Sequence, residues 1–110
     1  SIASRTYSKL SGFEYTITKA GLSGLVKQLS VEWAKDKILI NSINPGMVET
    51  PMLKKNIDQD ALTLIKNQIP LGRVAQPNEI AHAIEFLISD KNTYITGSGI
   101  DINGGQFLSG

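Results

Sequence analysis

Cysteine is absent from the 110 residues, which removes disulfides and thiolate metal ligands and fits a cytoplasmic protein. Histidine occurs once, at His82, with no second ligand at a suitable spacing. The expectation there is a helix-surface residue and no metal. Charge of one sign is lacking too: eleven basic and ten acidic residues leave a net charge of +1. Such a balance gives no electrostatic case for nucleic acid or for an anionic membrane surface. No apolar run approaches the roughly 20 residues that span a bilayer. The opening Ser-Ile-Ala-Ser-Arg-Thr carries neither an initiator Met nor a signal-peptide core, and reads as a chain cut or processed from something longer. Repeats and low-complexity tracts are missing as well. The remainder, 41% hydrophobic and 19% charged residues, is an ordinary globular composition of one small domain.

Residues 1–14 are rich in Ser, Gly, Thr and Lys and read as a loop. From about Tyr15 to Lys35 the pattern turns helical, with Leu22, Leu25, Val26, Leu29 and Trp33 on one stripe. Ala20, Gly21 and Gly24 add a small-residue face. A glycine inside a helix costs up to about 1 kcal/mol relative to Ala, so two of them predict close packing by a cofactor, a strand or another helix. Ile38 to Asn44 reads as a strand stopped by Pro45-Gly46, and its largely apolar run suits a buried parallel strand. Thr50-Pro51 supplies an N-cap followed by proline at N1. Residues 51–68 then form one or two short helices, either a substrate lid or simply a polar amphipathic pair.

Pro77-Asn78-Glu79 opens a second clear helix, with Ile80, Ala83, Ile84, Leu87 and Ile88 as its stripe and an end near Ser89-Asp90. Ile95 to Ser98 is turn-like, and Gly99 to Asn103 is a short strand closed by Gly104-Gly105. Trp33 and Phe86 are expected in the core or an interface. The order helix, strand, helices, strand is the closing half of an alternating α/β pattern with a parallel sheet. Two strands make no independently stable doubly wound sheet, so the rest of the sheet is expected in sequence outside these residues.

Tyr15 and Lys19 stand four residues apart, on one face of a helix and one turn from each other. A free phenol, with its ordinary pKa near 10, is a poor acid–base group at neutral pH. A neighbouring cation favours the phenolate, and a helix N-terminus acts in the same direction. The product is a group able to give a proton to a carbonyl oxygen or take one from an alcohol. Taken alone, the tetrapeptide reads equally as an exposed helix with a solvated lysine.

Tyr15-Thr16-Ile17-Thr18-Lys19-Ala20-Gly21 resembles the active-site segment of the short-chain dehydrogenase/reductase family. Ile43-Asn44-Pro45-Gly46-Met47-Val48-Glu49-Thr50 is similar to that family's motif after its sixth strand. Pro70-Leu71-Gly72-Arg73 with Pro77 to Ala81 resembles the approach to its last large helix, and Phe86 to Asp90 with Ile95-Thr96-Gly97 resembles the continuation of that helix. Asp101-Ile102-Asn103-Gly104-Gly105 looks like its closing strand, with Asn103 where Asp is usual. The matches run in order along essentially the whole chain, and members similar to 3-oxoacyl-[acyl-carrier-protein] reductase fit best.

The resemblance implies the C-terminal half of a Rossmann-like domain, residues 1–110, with the cofactor-binding N-terminal half absent. It implies NAD or NADP as cofactor and a small carbonyl/alcohol substrate. Tyr15 would be the acid–base group and a cofactor-binding residue, and Lys19 would lower its pKa and bind the nicotinamide ribose hydroxyls. The family's substrate-orienting Ser matches Ser1 best, although thirteen residues separate it from Tyr15, one more than usual. Pro45 and Gly46 would shape the turn against the nicotinamide. The Val48 backbone would meet the carboxamide, and the Thr50 hydroxyl would reach the carboxamide or a phosphate. Partners implied are further copies, as dimer or tetramer, or the missing N-terminal half. The apolar Phe107-Leu108 suits burial at such a contact. The competing readings are a non-catalytic fragment or oligomerising module of such an enzyme, and a binding protein that kept the fold and lost activity.

Overall fold

A computed structural model describes residues 1–7 and 11–109. A short 3₁₀ turn at Ile2–Ser4 precedes helix α1, Phe13–Glu32. Strand β1, Ser42–Pro45, leads through helices α2, Pro51–Asn56, α3, Gln59–Asn67, and α4, Pro77–Ile88, to strand β2, Gly99–Ile102. β1 and β2 are parallel neighbours, with Ser42 opposite Gly99 and Pro45 opposite Ile102. The expected helix–strand–helices–strand order and parallel pairing are present, and the fold is part of a Rossmann-like α/β sheet.

The elements begin and end for local reasons. Glu14, in the first turn of α1, offsets the positive end of the helix dipole. α1 stops at Trp33, and a further 3₁₀ turn carries the chain to Lys37, held at φ 60°. Thr50 caps α2 by accepting the Leu53 amide at 3.2 Å, with Pro51 in the first turn where its missing N–H costs nothing. Asp58 caps α3 in the same way. At the start of α4 the Glu79 carboxylate reaches back to the Gln76 amide at 2.7 Å. Buried Asn92 then stitches the end of α4 to the turn before β2, donating to Leu87 and Ile95 carbonyls and accepting the Ile95 amide.

Two expectations are corrected, and a third finds no partner within this chain. The first strand begins at Ser42 rather than Ile38, because side chains interrupt the ladder: Thr96 Oγ1 accepts the Ile40 amide, and the Asn41 amide group bonds Ile95 and Ser98. The small-residue face of α1 is open, with nothing within 4 Å of where a Cβ would stand on Gly21 or Gly24. Within this chain α1 instead seats Thr16, Lys19, Ser23, Val26 and Ser30, at three- and four-residue steps, while Leu22, Leu25 and Trp33 stay half-exposed. Residues 2–4 and 13–14 are helical rather than loop; residues 8–10, also read as loop, lie outside the described residues. Phe86 is half-exposed as well, and His82 is exposed on α4.

The buried hydrophobic residues are Ala3, Ile69 and Val74. The opening turn packs against β1, and the Leu71 amide donates to the Gly104 carbonyl just beyond β2 at 3.1 Å. Beyond β1, Val48 forms an isolated parallel bridge with Ala75. The Met47 carbonyl accepts the Ala75 amide at 2.9 Å, and the Ala75 carbonyl accepts the Glu49 amide at 2.8 Å. Among the described residues, no helix is long and apolar enough to cross a membrane.

Candidate active site

An open groove of about 600 Å³ lies between the start of α1, the end of β1, helix α3 and the C-terminal turn. That volume falls in the range of small-molecule sites, roughly 300–1,000 Å³. Ser1, Tyr15, Pro45 and Gly46 line it, so four of the residues singled out in the sequence converge. Tyr15 occupies the third position of α1 and is 41% exposed. One turn on, Lys19 Nζ lies 5.3 Å from the centroid of the Tyr15 ring, a cation–π distance. The ammonium thus sits over the ring that carries the phenol.

Lys19, Val48 and Thr50 are not among the residues that line the groove. The bridge to Ala75 engages the Met47 carbonyl and Glu49 amide, which turns the Val48 amide and carbonyl to the opposite side. Thr50 uses its oxygen as an acceptor for the helix cap, and its hydroxyl hydrogen stays available for donation.

Several lining residues were not found from the sequence. Met47, Leu64, Ile65 and Phe107 give the groove apolar walls, and Gln68 and Gln106 add polar points. The strongly amphipathic pattern of α3 was the available signal for Leu64 and Ile65. Gln106 had none. Its Oε1 is buried without a hydrogen-bond partner and lies against Gly46 and Asn103. Asn103 itself uses both ends of its amide: Nδ2 donates to the Phe107 carbonyl and Oδ1 accepts the Gly105 amide, each at 2.9 Å. An aspartate could not make the first of these bonds, which accounts for Asn in place of the usual Asp.

Charges support the segment beyond β1. Lys54 and then Gln76 hydrogen-bond Glu49 and hold its carboxyl below the usual range. Arg73 meets Glu79 in a two-pronged pair at 2.8 and 2.7 Å. That pair first, and the Gln76 amide second, lower the Glu79 pKa from the ordinary 4.5 to about 2. A depressed carboxylate stabilises the fold above its unfolded value and loses that contribution as pH falls through its folded value. The Glu79 contribution is therefore expected to be intact above about pH 4.5 and to fade toward pH 2. An NMR titration of the side-chain carboxyl should place it near 2, and Arg73→Ala should move it upward. A Glu79 titration unaltered by Arg73→Ala would contradict the pairing.

The open, largely apolar groove has room for a nicotinamide ring, and Gly46 adds no side chain to its wall because the space a Cβ would take is filled by Asn103 and Gln106.

The fold and groove define a partial Rossmann-like α/β domain with a Tyr–Lys pair at the ends of its strands. Comparison with known proteins agrees: a family profile described as enoyl-(acyl carrier protein) reductase matches residues 1–106. The chain belongs to this short-chain dehydrogenase/reductase family of oxidoreductases. It is 43% identical over 91 residues to the 3-oxoacyl-[acyl-carrier-protein] reductase of Aggregatibacter actinomycetemcomitans, covering 83% of this chain and 36% of that protein. Against the acetoacetyl-CoA reductase of an Acinetobacter species it is 40% identical over 94 residues, covering 86% and 38%. Among solved structures, the 3-oxoacyl-[acyl-carrier protein] reductase of Brucella melitensis superposes with TM-score 0.93 at 29% identity, covering 99% of this chain and 40% of that one. A 4-hydroxyisoleucine dehydrogenase complexed with NADH superposes with TM-score 0.87 at 33% identity, covering 96% and 44%. The chain thus spans 36% and 38% of the length of the two curated relatives named.

Proposed function

We propose that residues 1–110 are the acid–base half of an NAD(P)-dependent oxidoreductase that interconverts a carbonyl and an alcohol. The observation that carries this is the convergence of Tyr15, Ser1 and the Pro45–Gly46 turn on one groove, with the Lys19 ammonium over the Tyr15 ring. When bound, the nicotinamide supplies or accepts the hydride. The chain's own residues handle the oxygen side. The Tyr15 hydroxyl gives its proton to the carbonyl oxygen as the alcohol forms, and takes it back in the reverse direction. Lys19 stabilises the negative charge left on the phenolate and meets the ribose hydroxyls. The Ser1 hydroxyl donates to the substrate oxygen and holds it within reach of Tyr15. Val48 and Thr50 would hold the carboxamide end of the cofactor, and Pro45 and Gly46 would shape the wall beside it.

The rest of the nucleotide site belongs, in this reading, to the other strands of the same domain, which a two-stranded sheet requires for stability. The names of the relatives favour a 3-oxoacyl thioester as substrate. The half-exposed Leu22, Leu25 and Trp33 on α1 support its being covered by the rest of the domain or by a further copy in a dimer or tetramer.

The test uses the full-length protein that carries this sequence, with NADH or NADPH and acetoacetyl-CoA, followed by loss of nicotinamide absorbance. Wild-type protein is expected to oxidise one of the two nucleotides in a substrate-dependent way. Lys19→Ala is expected to lower kcat by about 10²-fold and to raise the nucleotide KM. Turnover in Lys19→Ala equal to wild type would remove Lys19 from the reaction. Absence of turnover with either nucleotide across short 3-oxo thioesters and simple ketones would overturn the function.

A further inference from the structure

A partly buried polar chain runs from β2 to the opening turn, and the proposed chemistry does not use it. Its centre is Asn44, only 2% exposed, on β1 two residues before Gly46. Asn44 Nδ2 donates to Asp101 Oδ1 at 3.0 Å, and Asn44 Oδ1 faces Ser4 Oγ at 3.0 Å. Ser4 Oγ also stands 2.8 Å from the Ser1 carbonyl, and the Ser4 amide donates to that carbonyl at 3.0 Å. Asp101 is held in turn by Ser109 Oγ at 2.7 Å and by Arg5 Nε at 3.4 Å, while Arg5 Nη2 donates to the Gly99 carbonyl.

The direction of the chain is set at Asp101. A carboxylate only accepts, so Asp101 compels Asn44 to present its NH₂ end, and the carbonyl end must then face Ser4. Ser4 has a single hydroxyl hydrogen, which goes to Asn44 Oδ1, and its amide then ties it to the Ser1 carbonyl at 3.0 Å. Space for the amide comes from Gly99, where a Cβ would lie 2.8 Å from Asn44 Nδ2. At the far end, Ser1 Oγ accepts the Ala3 amide at 3.2 Å, which leaves the Ser1 hydroxyl hydrogen for another partner. Three polar side chains from three separate parts of the chain thus end on the backbone of the residue whose hydroxyl lines the groove.

We infer that Asp101, Asn44 and Ser4 are positioning residues that set the turn carrying Ser1, so that its hydroxyl hydrogen points into the groove opposite Tyr15. This rests on the reading of Ser1 as the substrate-orienting hydroxyl. None of the three touches the substrate; they act through Ser1. Their loss should therefore affect turnover only while the Ser1 hydroxyl is there to be positioned.

The experiment is a double-mutant cycle in the full-length protein, assayed with acetoacetyl-CoA and the preferred nucleotide. Ser4→Ala and Asp101→Asn are each expected to lower kcat about tenfold with the nucleotide KM unchanged. In a Ser1→Ala background the same changes are expected to cost less than about twofold. Ser4→Thr, which keeps the hydroxyl, should recover most of the loss. Equal costs in both backgrounds, or no cost in wild type, would overturn the inference while leaving the proposed function standing. Wild-type turnover in Ser1→Ala would remove the inference together with the role of Ser1. Loss of activity in Tyr15→Phe then tells whether the wider reading survives. Ser4→Ala deletes one partly exposed oxygen, so it keeps the test valid if Asp101→Asn folds poorly.

Discussion

Replacing Tyr15 by Phe in the full-length protein is expected to lower kcat by roughly 10²- to 10⁴-fold, the range supplied by a positioned acid–base group. The nucleotide KM should change little. The ring that Lys19 overlies at 5.3 Å is retained in Phe, so the cation–π contact and the start of α1 persist. The variant loses the one proton that the carbonyl oxygen requires. Loss in kcat without loss in binding is the signature of an interaction made in the transition state rather than in the ground state. Single-turnover hydride transfer with pre-bound nucleotide is the direct measurement. Wild-type rates in that variant would exclude Tyr15 as the acid–base group.

Gly46→Ala is expected to destabilise the groove wall. A Cβ there would lie 2.9 Å from Asn103 Cβ, 3.0 Å from Asn103 Cα and 2.9 Å from Gln106 Oε1. No side-chain rotation relieves this, because Asn103 Cα and Cβ are fixed by the backbone of the turn, itself held by the Asn103 bonds to Phe107 and Gly105. Either the turn after β2 moves or the hydrogen bond from the Gly46 amide to the Ile102 carbonyl, 2.9 Å, lengthens. Overpacking of this kind costs typically about 1–3 kcal/mol. Denaturant unfolding should show a lower midpoint with an unchanged slope. Gly46 and Gln106 both line the groove, so turnover should fall beyond what the lost stability explains. An unchanged midpoint would mean that the C-terminal turn yields freely.

Much of the fold was readable because helices and caps are written locally. Thr50-Pro51 and Pro77-Asn78-Glu79 marked the starts of α2 and α4, and the four-residue step placed Lys19 beside the Tyr15 ring. Strand limits were less readable. Residues 38–41 are as apolar as a strand, yet Thr96 and Asn41 side chains take over the bonds that a ladder would make. The two glycines of α1 point to a close neighbour, and no periodicity says whether that neighbour belongs to the same chain. Asn44 and Gln106 were opaque for a different reason. Their importance comes from partners 40 to 60 residues away, such as Asp101 and Gly46, and no local pattern records such pairings.

The sparse burial of this chain has a thermodynamic consequence. Among the described residues no large side chain is completely enclosed. The heat-capacity increment and the denaturant slope of unfolding both scale with the surface newly wetted. Taken by themselves, these residues would melt gradually, with a shallow curve and little latent heat. A sharp, calorimetrically cooperative transition would come into being only as α1 and the outer edge of β1 are covered, so the steepness of melting reports how completely those surfaces are closed.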